Sequence, residues 1–159
     1  REGTSGGLIG ADLDHFTRVN DTCGHQAGDV VLQEAARRMT SAVRDYDAVG
    51  RYGGEEFLIV LSGCDTASTV KQAERIREGF SNAPIETPEG SLPVTSSMGV
   101  VTSQEGSEPD FLFRAADAAL YRAKRAGRNR VELATTADLK PAGSPTSDGP
   151  PPTKMAPVA

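Results

Sequence analysis

Asp47-Ala48-Val49-Gly50-Arg51-Tyr52-Gly53-Gly54-Glu55-Glu56-Phe57-Leu58-Ile59-Val60-Leu61 joins two apolar runs through a pair of glycines and a pair of carboxylates. Runs of this kind, bounded by glycine, read as strands, and the glycines supply the positive φ that a tight hairpin requires. Glu55 and Glu56 then sit at the turn, facing solvent or a ligand. Taken alone, such a hairpin is more often a solvated turn than a catalytic one. A second acidic cluster gives it chemical meaning.

That cluster is Gly10-Ala11-Asp12-Leu13-Asp14-His15-Phe16, preceded by Leu8-Ile9 and followed by Asn20-Asp21-Thr22-Cys23-Gly24-His25-Gln26-Ala27-Gly28-Asp29. Residues 8–13 are expected to form a buried strand that ends in carboxylates. Such groups are costly to bury unless a cation, hydrogen-bond donors or water compensates them. Mg²⁺ takes a few hard oxygen ligands and keeps positions for substrate phosphates, so one carboxylate from each of two adjacent strands suits it. Asp12 and Asp14 equally suit a loop that caps the next helix, and the local sequence leaves both readings open.

The length of 159 residues fits one domain with a substantial core. From residue 135 onward the chain holds six of the ten prolines and almost no large apolar residue, so residues 135–159 are expected to be a disordered Pro-rich tail. The two Lys and two Asp of that tail cancel, and the net charge of −5 belongs to residues 1–134. An acidic domain is a poor general binder of nucleic acid, and a polyanionic ligand would rely on metal and local cations. Cys23 and Cys64 have neither metal-ligand nor disulfide spacing and read as free thiols of a reducing compartment. No apolar run reaches membrane-spanning length and the first residues show no targeting pattern, which points to a cytoplasmic domain without membrane contact.

Along the chain, residues 29–43 place Val31, Leu32, Ala35, Ala36, Met39 and Val43 at helical spacing, and residues 66–80 do the same with Val70, Ala73, Ile76 and Phe80. Residues 85–87 and 92–101 read as a hairpin whose longer arm is a core strand. A last helix is expected over 109–126, stopped by Gly127, with a closing strand over 130–133. The order strand, helix, two strands, helix, strand pair, helix, strand describes an α/β sandwich, of α+β type, around a ferredoxin-like βαββαβ core.

The string Asp12-Leu13-Asp14-His15-Phe16, then Asn20-Asp21, Gly24-His25, Gly28-Asp29 and Arg51-Tyr52-Gly53-Gly54-Glu55-Glu56-Phe57, resembles the GGDEF-domain diguanylate cyclases in a GGEEF variant. Thr95-Ser96-Ser97-Met98-Gly99-Val100 is similar to the family's core strand. Ala116 to Asn129, with Lys124, Gly127 and Arg128, is similar to its last helix and loop. The match runs from about Leu8 to Leu133, and the family's preceding Asp-x-Leu-Thr-Gly-Leu-x-Asn-Arg segment is missing. Residues 1–134 are therefore expected to be an N-terminally truncated domain of a longer protein, which in the family carries an upstream sensory domain and can be membrane-anchored. The resemblance implies the fold of nucleotide cyclases and polymerase palms.

It also implies condensation of two GTP into cyclic di-GMP with release of pyrophosphate, by a homodimer of GGDEF domains, for bacterial second-messenger signalling. The alternative is an inactive module that binds GTP or cyclic di-GMP. Asp12, the carbonyl of Leu13 and Glu55 match the family's metal ligands, for two Mg²⁺ with Mn²⁺ as a substitute. Glu55 and Glu56 match its catalytic acids. Phe16, Thr17, Asn20, Asp29, Gly54, Lys124 and Arg128 match its substrate-binding positions, although the family generally carries Lys where this chain has Thr17. Asp29 would accept from guanine N1–H and N2, a donor pair that adenine lacks, or would cap the helix it opens. Arg44 and Asp47, five residues before the signature, match an inhibitory product site to which Arg75 adds. Product feedback inhibition is expected on that basis.

Overall fold

The computed structural model describes residues 6–103, 107–135, 137–138 and 156–157. Strand β1 (Gly6–Leu13) buries Ile9, Ala11 and Leu13 and is followed by α1 (Phe16–Cys23) and α2 (His25–Ser41). The hairpin of β2 (Ala48–Arg51) and β3 (Glu56–Ser62) leads to α3 (Thr66–Asn82), whose N-cap Asp65 accepts from the Ser68 N–H at 2.8 Å. Then come β4 (Ile85–Thr87), β5 (Gly90–Leu92), β6 (Ser96–Ser103), α4 (Pro109–Arg125), β7 (Val131–Leu133) and β8 (Ala156–Pro157).

The main sheet runs β7-β6-β1-β3-β2-β8, and β4-β5 form a small separate ribbon. β1 is antiparallel to both β3 and β6, and β2 is antiparallel to β3. Thus β1 and β2 run parallel with β3 between them, and β3 and β6 run parallel with β1 between them. These two split crossovers through α1–α2 and α3 are the expected ferredoxin-like core.

Opposite faces of β1 meet different helices. A Cβ at Gly7 would strike the Thr69 side chain on α3, whereas one at Gly10 would touch Ala116 and Leu120 on α4. On the α2–α3 face lies the larger core, with Ile9, Ala11, Met39, Phe57, Ile59, Ile76, Phe80 and Met98. Arg38 fastens these two helices by donating to the carbonyls of Ala83 and Pro84 beyond the end of α3, at 2.8 and 3.1 Å. On the other face, α4 lays a stripe of buried alanines, Ala115, Ala116, Ala119 and Ala123, against the sheet. Small residues on both sides let the helix approach closely.

Several boundaries differ from the sequence reading. Helix α1 was not foreseen: it spans only two turns, and Phe16, Val19 and Cys23 share one face but are too few to set a period against the loop reading. Gly24, with φ of 92°, separates it from α2, which starts at His25 instead of Asp29. Asp29 is therefore inside the helix and is not its N-cap. The arm expected over 92–101 is two strands, because residues 93–95 with Pro93 interrupt it. The folded part reaches past residue 134: Asp138 accepts from the Thr135 N–H at 2.7 Å and pairs with Arg122 of α4 at 2.8 Å. Ala156–Pro157 pairs with β2 at the sheet edge. The rest of the expected tail lies outside the described residues. No described helix is long and apolar enough to cross a membrane.

Among the described glycines, Gly99 makes the closest approach to backbone atoms. A Cβ there would lie 2.2 Å from the Ala116 carbonyl oxygen and 2.4 Å from the Leu120 nitrogen, both backbone atoms of α4 that cannot swing aside. Gly99→Ala is expected to push α4 off the sheet and to lower stability by about 2–3 kcal/mol, read as a shifted midpoint in urea unfolding.

Candidate active site

The ends of β1, the β2–β3 hairpin, α1 and the last turn of α4 enclose a cavity of about 450 Å³. Asp12, Leu13, Phe16, Thr17, Glu55, Lys124 and Arg128 line it, together with Asp14, His15, Arg18 and Asp21. The hairpin register brings the two acidic segments together: Asp12 is the partner of Glu56 across the strands, and the Leu13 N–H donates to the Glu55 carbonyl at 3.2 Å. Gly53 takes the positive φ of 82° at the turn, and the Arg51 Nε closes it on the Gly54 carbonyl at 2.9 Å. Gly54 adopts no such φ, and a side chain there would enter open space.

Asp12 and Asp14 are both buried, at 3% and 7% exposure, and they are compensated differently. Asp14 accepts from the hydroxyls of Thr95 and Ser97, at 2.7 and 2.6 Å, and from the Asn129 N–H at 3.0 Å. It is a fixed post joining β1, the entry to β6 and the loop after α4. Asp12 instead pairs with the ammonium of Lys124. Burial raises the Asp12 pKa, the Lys124 contact opposes that, and neighbouring Glu55 and Asp14 add to the rise. Burial disfavours the Lys124 charge, but Asp12, Glu56 and Glu55 outweigh it and hold the ammonium above its ordinary pKa. Glu56 is raised by burial and then by Asp12, and it faces Tyr52, Phe113 and Asp117 on the other side of the hairpin.

The loop that carries Arg128 is shaped by residues that sequence reasoning had not assigned. Arg128 and Asn129 adopt positive φ of 65° and 48°, and the Asn129 carboxamide oxygen accepts from Arg77 at 2.9 Å and Ser81 at 3.0 Å on α3. Both φ values follow the C-terminal end of α4, where the Arg128 N–H donates to the Ala123 carbonyl at 2.9 Å. Thr95, Ser97 and Asn129 lay within motifs already singled out, but their common partner, Asp14, is visible only in space.

Asn20, Asp29, Gly54 and Glu56 do not line the cavity. Asn20 sends its side-chain oxygen into the space that a Cβ at Gly28 would fill, 1.9 Å from that point, so glycine at 28 leaves room for the Asn20 carboxamide where α1 meets α2. Asp29 is exposed one residue further on. Oxygen donors from Asp12, Leu13 and Glu55 share the cavity and suit a hard cation. Among the described residues no group of three or more His, Cys, Asp or Glu side chains is gathered as a metal site.

Arg44 and Asp47 form a pair at the far end of the hairpin. Asp47, with its side chain 1% exposed, accepts from the Arg44 Nε at 3.0 Å and from the N–H groups of Arg44 and Ser62, each at 2.9 Å. The Arg44 guanidinium also meets the Ser62 carbonyl, the Cys64 thiol and the Tyr46 ring. Asp47 is thus committed within the chain, while Arg44 remains half-exposed. Arg75 reaches the same neighbourhood through Gln72, which donates to the Ala42 carbonyl.

Comparison with known proteins agrees with this architecture. The family model for the diguanylate cyclase GGDEF domain matches residues 1–130. The probable diguanylate cyclase DgcT of Escherichia coli K12 is 43% identical over 123 residues, which is 76% of this chain and 27% of that protein. The chain spans well under half the length of the curated relatives it matches. The active GGEEF domain of a diguanylate cyclase from Vibrio cholerae superposes with a TM-score of 0.77 at 34% identity, covering 83% of this chain and 84% of that one. The GGDEF domain of DgcB from Caulobacter crescentus, solved with c-di-GMP, also gives 0.77 at 34% identity, over 82% and 78% of the two chains.

Asp47 yields a pH-dependent prediction. Burial works against its charge, but Arg44 and the two backbone N–H groups outweigh that and hold its pKa below the ordinary 3.8. A lowered folded-state pKa means that the stabilisation is complete above the unfolded value and is lost as pH falls through the lowered one. Asp47→Asn is expected to cost about 1–3 kcal/mol in urea unfolding at pH 7, a gap that closes as the pH is taken below about 4.

Proposed function

Because the chain belongs to the GGDEF domain family of diguanylate cyclases, we propose that it condenses two GTP into cyclic di-GMP with release of two pyrophosphates. What supports this most is the shared cavity of Asp12, Leu13 and Glu55 beside Lys124 and Arg128, an oxygen-donor set next to cations at the scale of a nucleotide triphosphate. Members of the family generally use a divalent metal. Asp12, the Leu13 carbonyl and Glu55 would hold Mg²⁺, as two ions or with Mn²⁺ in its place. Once bound, the metal neutralises phosphate charge and lowers the pKa of the attacking 3′-hydroxyl.

The chain's own groups do the rest. Glu55 takes the proton from the 3′-hydroxyl as the oxygen attacks the α-phosphate of the other GTP. Glu56 supports the hairpin behind it. The N–H groups of Phe16 and Thr17, which begin α1 and have no acceptor among the described residues, receive phosphate oxygens. Lys124 and Arg128 neutralise the outer phosphates. Asn20 and Asp29, neighbours across the α1–α2 seat, read the guanine edge, and Gly54 leaves its backbone open to the nucleotide. Each domain presents one GTP, so bond formation brings two copies face to face under the control of an upstream sensory domain in the cytoplasm. Feedback by the product acts through Arg44 and Arg75, with Asp47 holding Arg44 in place.

The chain incubated with GTP and Mg²⁺ is expected to form cyclic di-GMP, and Glu55→Gln to form at least about 100-fold less. Equal product from both would remove Glu55 from the mechanism. Product from neither, with GTP still bound, would make this an inactive binding module. Arg44→Lys keeps a cation beside Asp47 but loses the planar fork, so the concentration of product that halves the rate is expected to rise about tenfold.

A further inference from the structure

Arg18 lies in the first turn of α1 and lines the same cavity as Asp12, Glu55, Lys124 and Arg128. Its side chain forms no hydrogen bond or ion pair among the described residues. Asp21 is three residues on, at the spacing where a helical Arg–Asp pair commonly closes, and it lines the cavity too. The two nevertheless form no ion pair with each other, nor with any other of the described residues.

The acids that line the same cavity, Asp12, Asp14, Asp21 and Glu55, make no ion pair with Arg18 among the described residues. The start of α1 carries the positive end of the helix dipole, and no acidic residue occupies its first turn. Arg128, on the same cavity, adds like charge and has no ion pair among the described residues. Thr17 beside Arg18 is uncharged. Two unpaired guanidinium groups, together with the ammonium held by Asp12, therefore border one 450 Å³ space without filling their hydrogen-bonding capacity.

The geometry points to Arg18 as a substrate-binding residue that takes an outer phosphate of a nucleoside triphosphate, together with Arg128. This rests on the cyclase reading above. A guanidinium presents paired N–H donors that match two phosphate oxygens, and its long stem lets it reach across the cavity from α1. On this view α1 serves the triphosphate twice, with main-chain N–H groups at its start and with Arg18 one turn in.

Calorimetric titration of the 159-residue chain with a non-hydrolysable GTP analogue and, separately, with GMP in the presence of Mg²⁺ tests this. GMP lacks the outer phosphates. Arg18→Ala is expected to weaken the analogue about tenfold and GMP less than about twofold, and Arg18→Lys to recover part of the loss. If Arg18→Ala binds the analogue as tightly as the parent chain, or loses affinity equally for both ligands, the assignment of Arg18 is overturned while the cyclase reading stands on its Glu55 test. If the parent chain itself binds no analogue, the cyclase reading falls and the Arg18 assignment falls with it.

Discussion

Two carboxylates at the buried end of the central strand impose the constraint that everything around them answers. Asp14 is met by two hydroxyls and one backbone N–H, donors that are neutral, short-armed and rigidly carried. Asp12, two residues away, is met by one ammonium on a flexible stem that borders the cavity. The first arrangement fixes geometry, since the donors come from two distant parts of the chain, residues 95–97 and Asn129, and all three converge on one carboxylate. The second fixes only charge. An uncompensated carboxylate at this depth would cost several kcal/mol, so Asp12 stays ionised only with a cation near it, and which cation is open to exchange. That difference separates a structural acid from one available for chemistry.

Helix α4 connects this requirement to the packing of the core. It carries Lys124 to Asp12 and leads into the loop that carries Arg128, so its height above the sheet sets where both cations stand. That height is set by what is missing at Gly10 and Gly99 and by the alanine stripe facing them. Close approach leaves little slack, because the neighbours of Gly99 are backbone atoms. From its other end the loop is pinned by Asn129, which donates its N–H to Asp14 and accepts from α3. The same carboxylate that braces β1 therefore also positions the turn bearing Arg128.

Much of this was legible in the chain. The hairpin around Gly53-Gly54, the buried strand ending at Asp12, and α3 all carry strong periodic or turn signals, and the order of elements gave the ferredoxin-like core. What was not legible depends on partners far apart in sequence. Asp14 and Asp12 look alike on paper, and only the placement of Thr95, Ser97 and Lys124 distinguishes them. Arg44 and Asp47 read as a pair matching a product site, yet the Ser62 N–H from the neighbouring strand also engages the Asp47 carboxylate. Helix α1 was hidden because it is only eight residues long, and its three apolar residues, Phe16, Val19 and Cys23, are too few to establish a period. Its existence in turn moved Asp29 from a cap into the body of α2 and brought Arg18 onto the cavity wall.

The charge of the cavity bears on what form of ligand it accepts under the proposed function. Asp12, Asp14, Asp21 and Glu55 face it from one side of the balance, and Arg18, Lys124 and Arg128 from the other, within a chain whose net charge is −5. These groups border one cavity of about 450 Å³, so the surrounding ions screen them less than charges spread over an open surface. A bare triphosphate would meet carboxylates as well as cations and gain little. A divalent cation alone would find only the oxygens of Asp12, Leu13 and Glu55. A nucleotide and its metal arriving together satisfy both sets, the metal taking the carboxylates and the phosphates taking the guanidinium groups. An acidic domain can in this way select a polyanion without a basic surface, because recognition is confined to a small volume where opposite charges are already sorted.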